Sequence, residues 1–184
     1  EFRATDVLIG MHMHPEVSQK FWGAFHQSLF NGLNSQIIMA RLNQPLSTIR
    51  RIKVAVPSRA QFEPGFYRWL ERLCRMAVNM ECHTEFYGRE DVLPLIEQYV
   101  HNKHQQMRVS FTTMVHWAEM PNIAASISND QLFIIVTARK GTVSFKNALE
   151  RLPDEIQRHI SGKNIMIIFP AQHGDAMEEM TFAQ

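Results

Sequence analysis

The stretch "NDQLFIIVTARKG", residues 129–141, places an aspartate ahead of a run of aliphatics and closes on a polar turn; "TDVLIGMHMH", residues 5–14, says nearly the same thing. The run 132–136 is continuously apolar, which suits a strand covered on both faces rather than one with a wet side. The likeness extends further. Asp6-Val7-Leu8-Ile9-Gly10 corresponds to the segment beginning at Asp130, and Ile37-Ile38-Met39 corresponds to Ile165-Met166-Ile167. The sequence is therefore expected to hold the last β-α-β of one repeat followed by a complete second repeat.

Outward from residues 131–137, the pattern continues into a helix at 153–160 and a strand at 164–169. Upstream of it lie a strand at 52–56, a helix at 64–78, a strand at 81–87, a helix at 91–100, a strand at 108–114 and a helix at 121–127. Before these come a strand at 5–11, a helix at 17–33 and a strand at 36–42. Strands alternating with helices predict a doubly wound, mainly parallel, Rossmann-like α/β sheet. The expected organisation is a β-α-β segment at 1–42, a linker at 43–50 ("NQPLSTIR" with its proline), a full repeat at 51–170 and a polar tail at 171–184. A lone β-α-β cannot bury its faces. Strand 36–41 is thus expected antiparallel against strand 164–169, giving a sheet of about seven strands; the alternative is pairing across a homodimer.

Bulk composition narrows the function. With 19 basic and 18 acidic residues in 184 and a formal charge of +1, there is no long-range field to attract nucleic acid. The longest clean aliphatic runs fall far short of the roughly 20 residues a spanning helix needs. Cys74 and Cys82 have no CxxC or Cys/His spacing and read as reduced core thiols. His12 and His14, with Glu16 nearby, have an extended-segment spacing that could place both rings on a metal, but no further ligands follow, and a loop after a strand is the simpler account. The histidines also raise the alternative of pH sensing. No Gly-x-Ser-x-Gly elbow is present, so no enzyme activity is expected. Phe66, Leu70, Leu73 and Ala77, like Leu149, Leu152, Ile156 and Ile160, recur at helical spacing as core stripes.

Several phrases carry a family resemblance. "FWGAFHQSLFNGLNSQIIMAR" resembles the final helix and strand of universal stress protein domains, with Gly23-Ala24 at the family's Gly-Ser position. "IRRIKVAVPSRAQFEPGFYRWLERLCRMA" resembles the first strand and helix, and "DQLFIIVTARKGTVSFKNALERLPDEIQRH" the fourth strand, glycine loop and last helix. More narrowly, "QPLSTIRRIKVAVP", "EPGFYRWLERLCRMA", "VTARKGTVSFKNALERLP" and "IMIIFP" resemble the cytosolic tail of bacterial cation:proton (Na+/H+) antiporters of the monovalent cation:proton antiporter-2 type. That resemblance implies a regulatory domain at the cytoplasmic face of the plasma membrane, partnered by a transmembrane exchanger domain of the same polypeptide, with a homodimer as a further partner. The alternative it leaves open is a free-standing cytosolic nucleotide-binding stress protein.

ATP-binding members of that family cap the first strand with an aspartate and wrap the phosphates in a glycine loop at a helix N-terminus, where free N–H groups receive the anion. Here Pro57-Ser58 stand at the aspartate position, and only Gly141 remains of the loop glycines. The last helix opens with "RLPDE", where Pro153 has no N–H to offer and Asp154 and Glu155 repel phosphate. No cofactor is expected, and ATP binding in the family's manner is not expected. The candidate contacts for an anion or adenylate at the strand ends are Pro57, Ser58, Arg139, Lys140, Gly141, Thr142 and Ser144. The alternative for the 139–144 group is a solvated loop after a strand.

Overall fold

The computed structural model describes residues 6–10 and 35–172. Seven strands form one sheet in the order β1-β2-β7-β6-β3-β4-β5. They are β1 (Asp6–Gly10), β2 (Gln36–Arg41), β3 (Arg51–Ala55), β4 (His83–Gly88), β5 (Val109–Thr113), β6 (Gln131–Val136) and β7 (Asn164–Phe169). Every neighbouring pair is parallel except β2 and β7, which run antiparallel with Ile37 opposite Phe169 and Arg41 opposite Ile165. The antiparallel pairing expected of residues 36–41 is therefore made within one chain. The expected helix at 17–33, Gly23-Ala24 and the His12, His14 and Glu16 group lie outside the described residues.

The helices are α1 (Phe66–Asn79), α2 (Leu93–Lys103), α3 (Met120–Ala125) and α4 (Leu152–His159). Because side chains alternate across a strand, β6 sends Leu132, Ile134 and Val136 to one core and Phe133 and Ile135 to the other. The first core is closed by α1 and α2. Phe66, Leu70, Leu73 and Ala77 of α1 are buried there at helical spacing, beside Trp69 and Cys74. The second core is closed by α3 and α4 through Met120, Ala124, Leu152, Ile156 and Ile160. Both faces of β6 and β7 are thus dry, which is why these strands are apolar without alternation, whereas β3 alternates and carries Lys53. Cys74 and Cys82 are free and buried, and burial raises the Cys74 thiol to about 12.

Polar contacts hold the start of the 43–50 segment against β7. The buried Asn164 accepts from the backbone N–H groups of Asn43 (2.8 Å) and Gln44 (3.3 Å) through Oδ1. Its Nδ2 donates to the carbonyls of Asn129 (2.9 Å) and Gln131 (3.2 Å). Arg41 Nη2 donates to the carbonyl of Ile160 at 2.6 Å, and at the far edge Asp6 of β1 pairs with Arg72 of α1 at 3.0 Å. Two of the four Asn164 bonds tie the start of the 43–50 segment to it, and the other two tie Asn164 to the turn before β6 and to that strand's first residue. Among the described residues no helix is long and apolar enough to cross a membrane.

Candidate functional site

Strand β3 sits inside the sheet; the chain passes from it to β4 on one side and reaches β6 on the other. A reversal of this kind opens a crevice beyond the carboxyl ends of the strands, where neighbouring connections leave in opposite directions. A cavity of about 200 Å³ lies there, walled by the residues that follow β3, β4 and β5 and by the segment leading to α4. Backbone bonds carry the ladder up to its lip: the Val56 N–H donates to the Tyr87 carbonyl (2.8 Å) and the Met114 N–H to the Gly88 carbonyl (2.7 Å).

Of the residues singled out from sequence, Pro57, Ser58 and Ser144 line this cavity, and Arg139, Lys140, Gly141 and Thr142 do not. Ser144 is 1 % exposed, and both its backbone N–H (3.0 Å) and its hydroxyl (2.6 Å) donate to Oε1 of Glu63, itself 3 % exposed. Arg139 is 4 % exposed and donates from Nη2 to the carbonyl of Ser35. Its burial lowers the guanidinium pKa, and the Glu63 charge opposes that fall. The Thr142 hydroxyl and N–H both turn back onto the Arg139 carbonyl, at 2.8 and 3.1 Å, around Gly141 with φ +89°. Lys140 points out and pairs with Glu150 at 3.5 Å. The loop that would wrap phosphates is thus folded on itself. Asp154 and Glu155 occupy the first turn of α4 as the sequence indicates, and burial raises Glu155 above the usual carboxylate range.

The remaining polar groups of the cavity were not found by sequence reasoning: Arg89 after β4, His116 and Trp117 after β5, and Lys146 before α4. Arg89, His116 and Trp117 carried a positional signal, each lying within a few residues of the end of a parallel strand, but no motif marked them or Lys146. Arg89 Nη1 donates to the Val115 carbonyl at 3.2 Å. Trp117 is half-buried, and its indole N–H is buried without a hydrogen-bond partner. No carboxylate lines the cavity among the described residues. The hydroxyl of Ser144 is spent on Glu63, and no hydrogen bond joins Ser58 to His116. Among the described residues no three His, Cys, Asp or Glu side chains are grouped to hold a metal. The chemistry on offer is a small, largely apolar recess with a cationic rim.

This sheet order, with both faces covered by helices, is a Rossmann-like fold of the universal stress protein type. Two of the solved structures that share it are informative. One is the cytoplasmic domain of a prokaryotic cation chloride cotransporter, similar over 97 % of this chain and 68 % of its own, with a TM-score of 0.59 and 8 % identity. The other is a universal stress protein from Archaeoglobus fulgidus, similar over 93 % of this chain with a TM-score of 0.52 and 13 % identity. The chain spans 62 % of that stress protein's length. No protein-family model and no curated protein sequence matches the chain.

Proposed function

We propose that this chain is a cytosolic regulatory domain of a membrane cation/proton antiporter, without enzymatic activity of its own. The observation that carries the reading is the likeness, across 97 % of the chain, to the cytoplasmic domain of another cation transporter. The phrases that resemble monovalent cation:proton antiporter-2 tails support the same reading from sequence. In this reading the exchange chemistry resides in a transmembrane domain of the same polypeptide. The present domain acts by binding a small ligand, or by pairing with a second copy, differently in two transporter states, because a ligand shifts an equilibrium only by its difference in affinity between them. Sodium as the transported ion and the plasma membrane's cytoplasmic face as the location belong to this proposal.

A second reading, a free-standing cytosolic stress-protein-like nucleotide binder, has the Archaeoglobus fulgidus likeness in its favour. Immunoblotting of cells separated into membrane and cytosol, with an antibody against residues 51–170, distinguishes the two. A band much heavier than this chain and confined to membranes is expected. A soluble band near the mass of this chain overturns the transporter reading and leaves the second standing.

A further inference from the structure

The crevice divides into two sides of opposite character. On the β6 side the candidate side chains bond to the chain itself: Ser144 to Glu63, Thr142 to the Arg139 carbonyl, and Arg139 through Nη2 to the Ser35 carbonyl. The carboxylate of Glu63 behind Ser144 also repels an anion approaching from that side, and its other oxygen takes a 3.4 Å bond from Gln172. On the β4 and β5 side lie Arg89 and His116, with Lys146 closing the rim. Lys146 is exposed and has no carboxylate partner among the described residues. Trp117 lines the same cavity beside an apolar wall that includes Met114 and Leu149.

Cations gathered around an apolar recess that lacks any lining carboxylate select negative charge. Size then limits the choice, because about 200 Å³ is smaller than the roughly 300–1,000 Å³ typical of pockets for drug-sized ligands. A nucleoside triphosphate exceeds it, and its phosphates would have to lie on the side that carries Glu63.

We propose that this cavity binds a small organic anion with one flat or branched apolar end, a carboxylate or phosphate monoester. Lys146 and Arg89 hold the anionic group, and the apolar end rests against Trp117 and Met114. The site lies toward β4 and β5, displaced from the 139–144 loop. Occupancy would join the loops after β3, β4 and β5 to the segment leading into α4. The inference rests on the reading of the domain as ligand-responsive. Its test uses the purified chain and fails independently of where the chain resides in cells.

Titration calorimetry at low salt with phenyl phosphate, benzoate, inorganic phosphate and ATP reads the outcome. Saturable binding of phenyl phosphate or benzoate is expected, tighter than inorganic phosphate and tighter than ATP. Lys146→Ala should weaken it by about tenfold and Arg89→Gln by a similar factor, as loss of a charge-assisted hydrogen bond dictates. Both cations are exposed, so these variants test binding in a chain whose core is intact. Absence of saturable binding for both organic anions, indifference to Lys146→Ala together with Arg89→Gln, or ATP as the tightest ligand would each overturn the proposal.

Discussion

The loop after β6 and the loops after β4 and β5 meet at one crevice, yet their polar residues serve different ends. At 139–144, glycine, threonine, serine and two cations look from sequence like an anion cradle. In the fold, Arg139 and Ser144 are buried and bonded to the chain itself, and Lys140 is turned outward to Glu150. Around Arg89, His116, Trp117 and Lys146 no motif is visible, yet those groups line the cavity. Residue type therefore says little about a site until the partner of each polar group is known. A donor already satisfied by the protein contributes to stability, and binding a ligand through it would first require that bond to be broken.

The largest effect expected from this contrast is at Glu63. Its Oε1 satisfies two donors of the buried Ser144, and Arg139 lies close enough to feel its charge. Glu63→Ala should destabilise the fold by about 3 kcal/mol, because it leaves buried donors without an acceptor beside a buried guanidinium. Glu63→Gln, which keeps an acceptor oxygen, should cost less. Urea denaturation of the two variants provides the measurement. A loss within error of zero for Glu63→Ala would mean the loop is not locked and would return it to the list of ligand contacts.

How much of this was open to sequence follows from the same distinction. Periodicity is a local property, and the aliphatic run 132–136 became a central strand with both faces buried. The α1 stripe and Leu152, Ile156 and Ile160 of the later stripe became the faces of two separate cores, whereas Leu149 lies in a 3-10 turn and lines the cavity. The partner of β2 was also legible, since a short apolar strand needs a neighbour and β7 resembles it. The boundaries were less so. The expected helix at 121–127 is observed at Met120–Ala125, preceded by a 3-10 turn at Trp117–Glu119. Short turns at Ala60–Phe62 and Asn147–Arg151 carry no periodicity that would have revealed them. The site was legible in place and not in composition. The strand-end rule located the crevice, but the bond between Glu63 and Ser144 joins residues 81 positions apart, and no local pattern encodes it.

A third location tests whether commitment of polar groups, rather than their type, sets their behaviour. Burial pushes the Glu71 carboxyl upward, but hydrogen bonds from Tyr99, His104 and Arg75 more than offset this and hold it at about 2. His104 Nε2 lies 2.8 Å from Oε2, and Arg75 Nε donates to Oε1 at 2.8 Å. A carboxyl depressed in the folded state stabilises that state fully above its unfolded value and loses this contribution as pH falls toward the folded one. For Glu71 the window runs from the usual 4.5 down to about 2. Stability of the parent chain should thus fall more steeply through that window than that of Glu71→Gln, as followed by urea midpoints at successive pH values. Parallel curves would show that the three donors do not favour the charged form.

The smallest effect belongs to the residue that looked most like a phosphate ligand. Lys140 is 77 % exposed at its side chain and meets Glu150, itself 49 % exposed, at 3.5 Å. An exposed pair of this kind contributes about 0–1 kcal/mol, since water solvates both charges nearly as well as they solvate each other. Lys140→Ala should therefore change the urea midpoint little and leave the affinity for phenyl phosphate within about twofold of the parent. Lys146→Ala, six positions along the same segment, should lower that affinity with equally little effect on stability. The pair is informative because both are exposed lysines near one crevice, differing in whether a carboxylate already holds the ammonium. If Lys140→Ala weakened binding as much as Lys146→Ala, the contrast between the two sides of the crevice would fail, and the anion would have to be placed over the 139–144 loop after all.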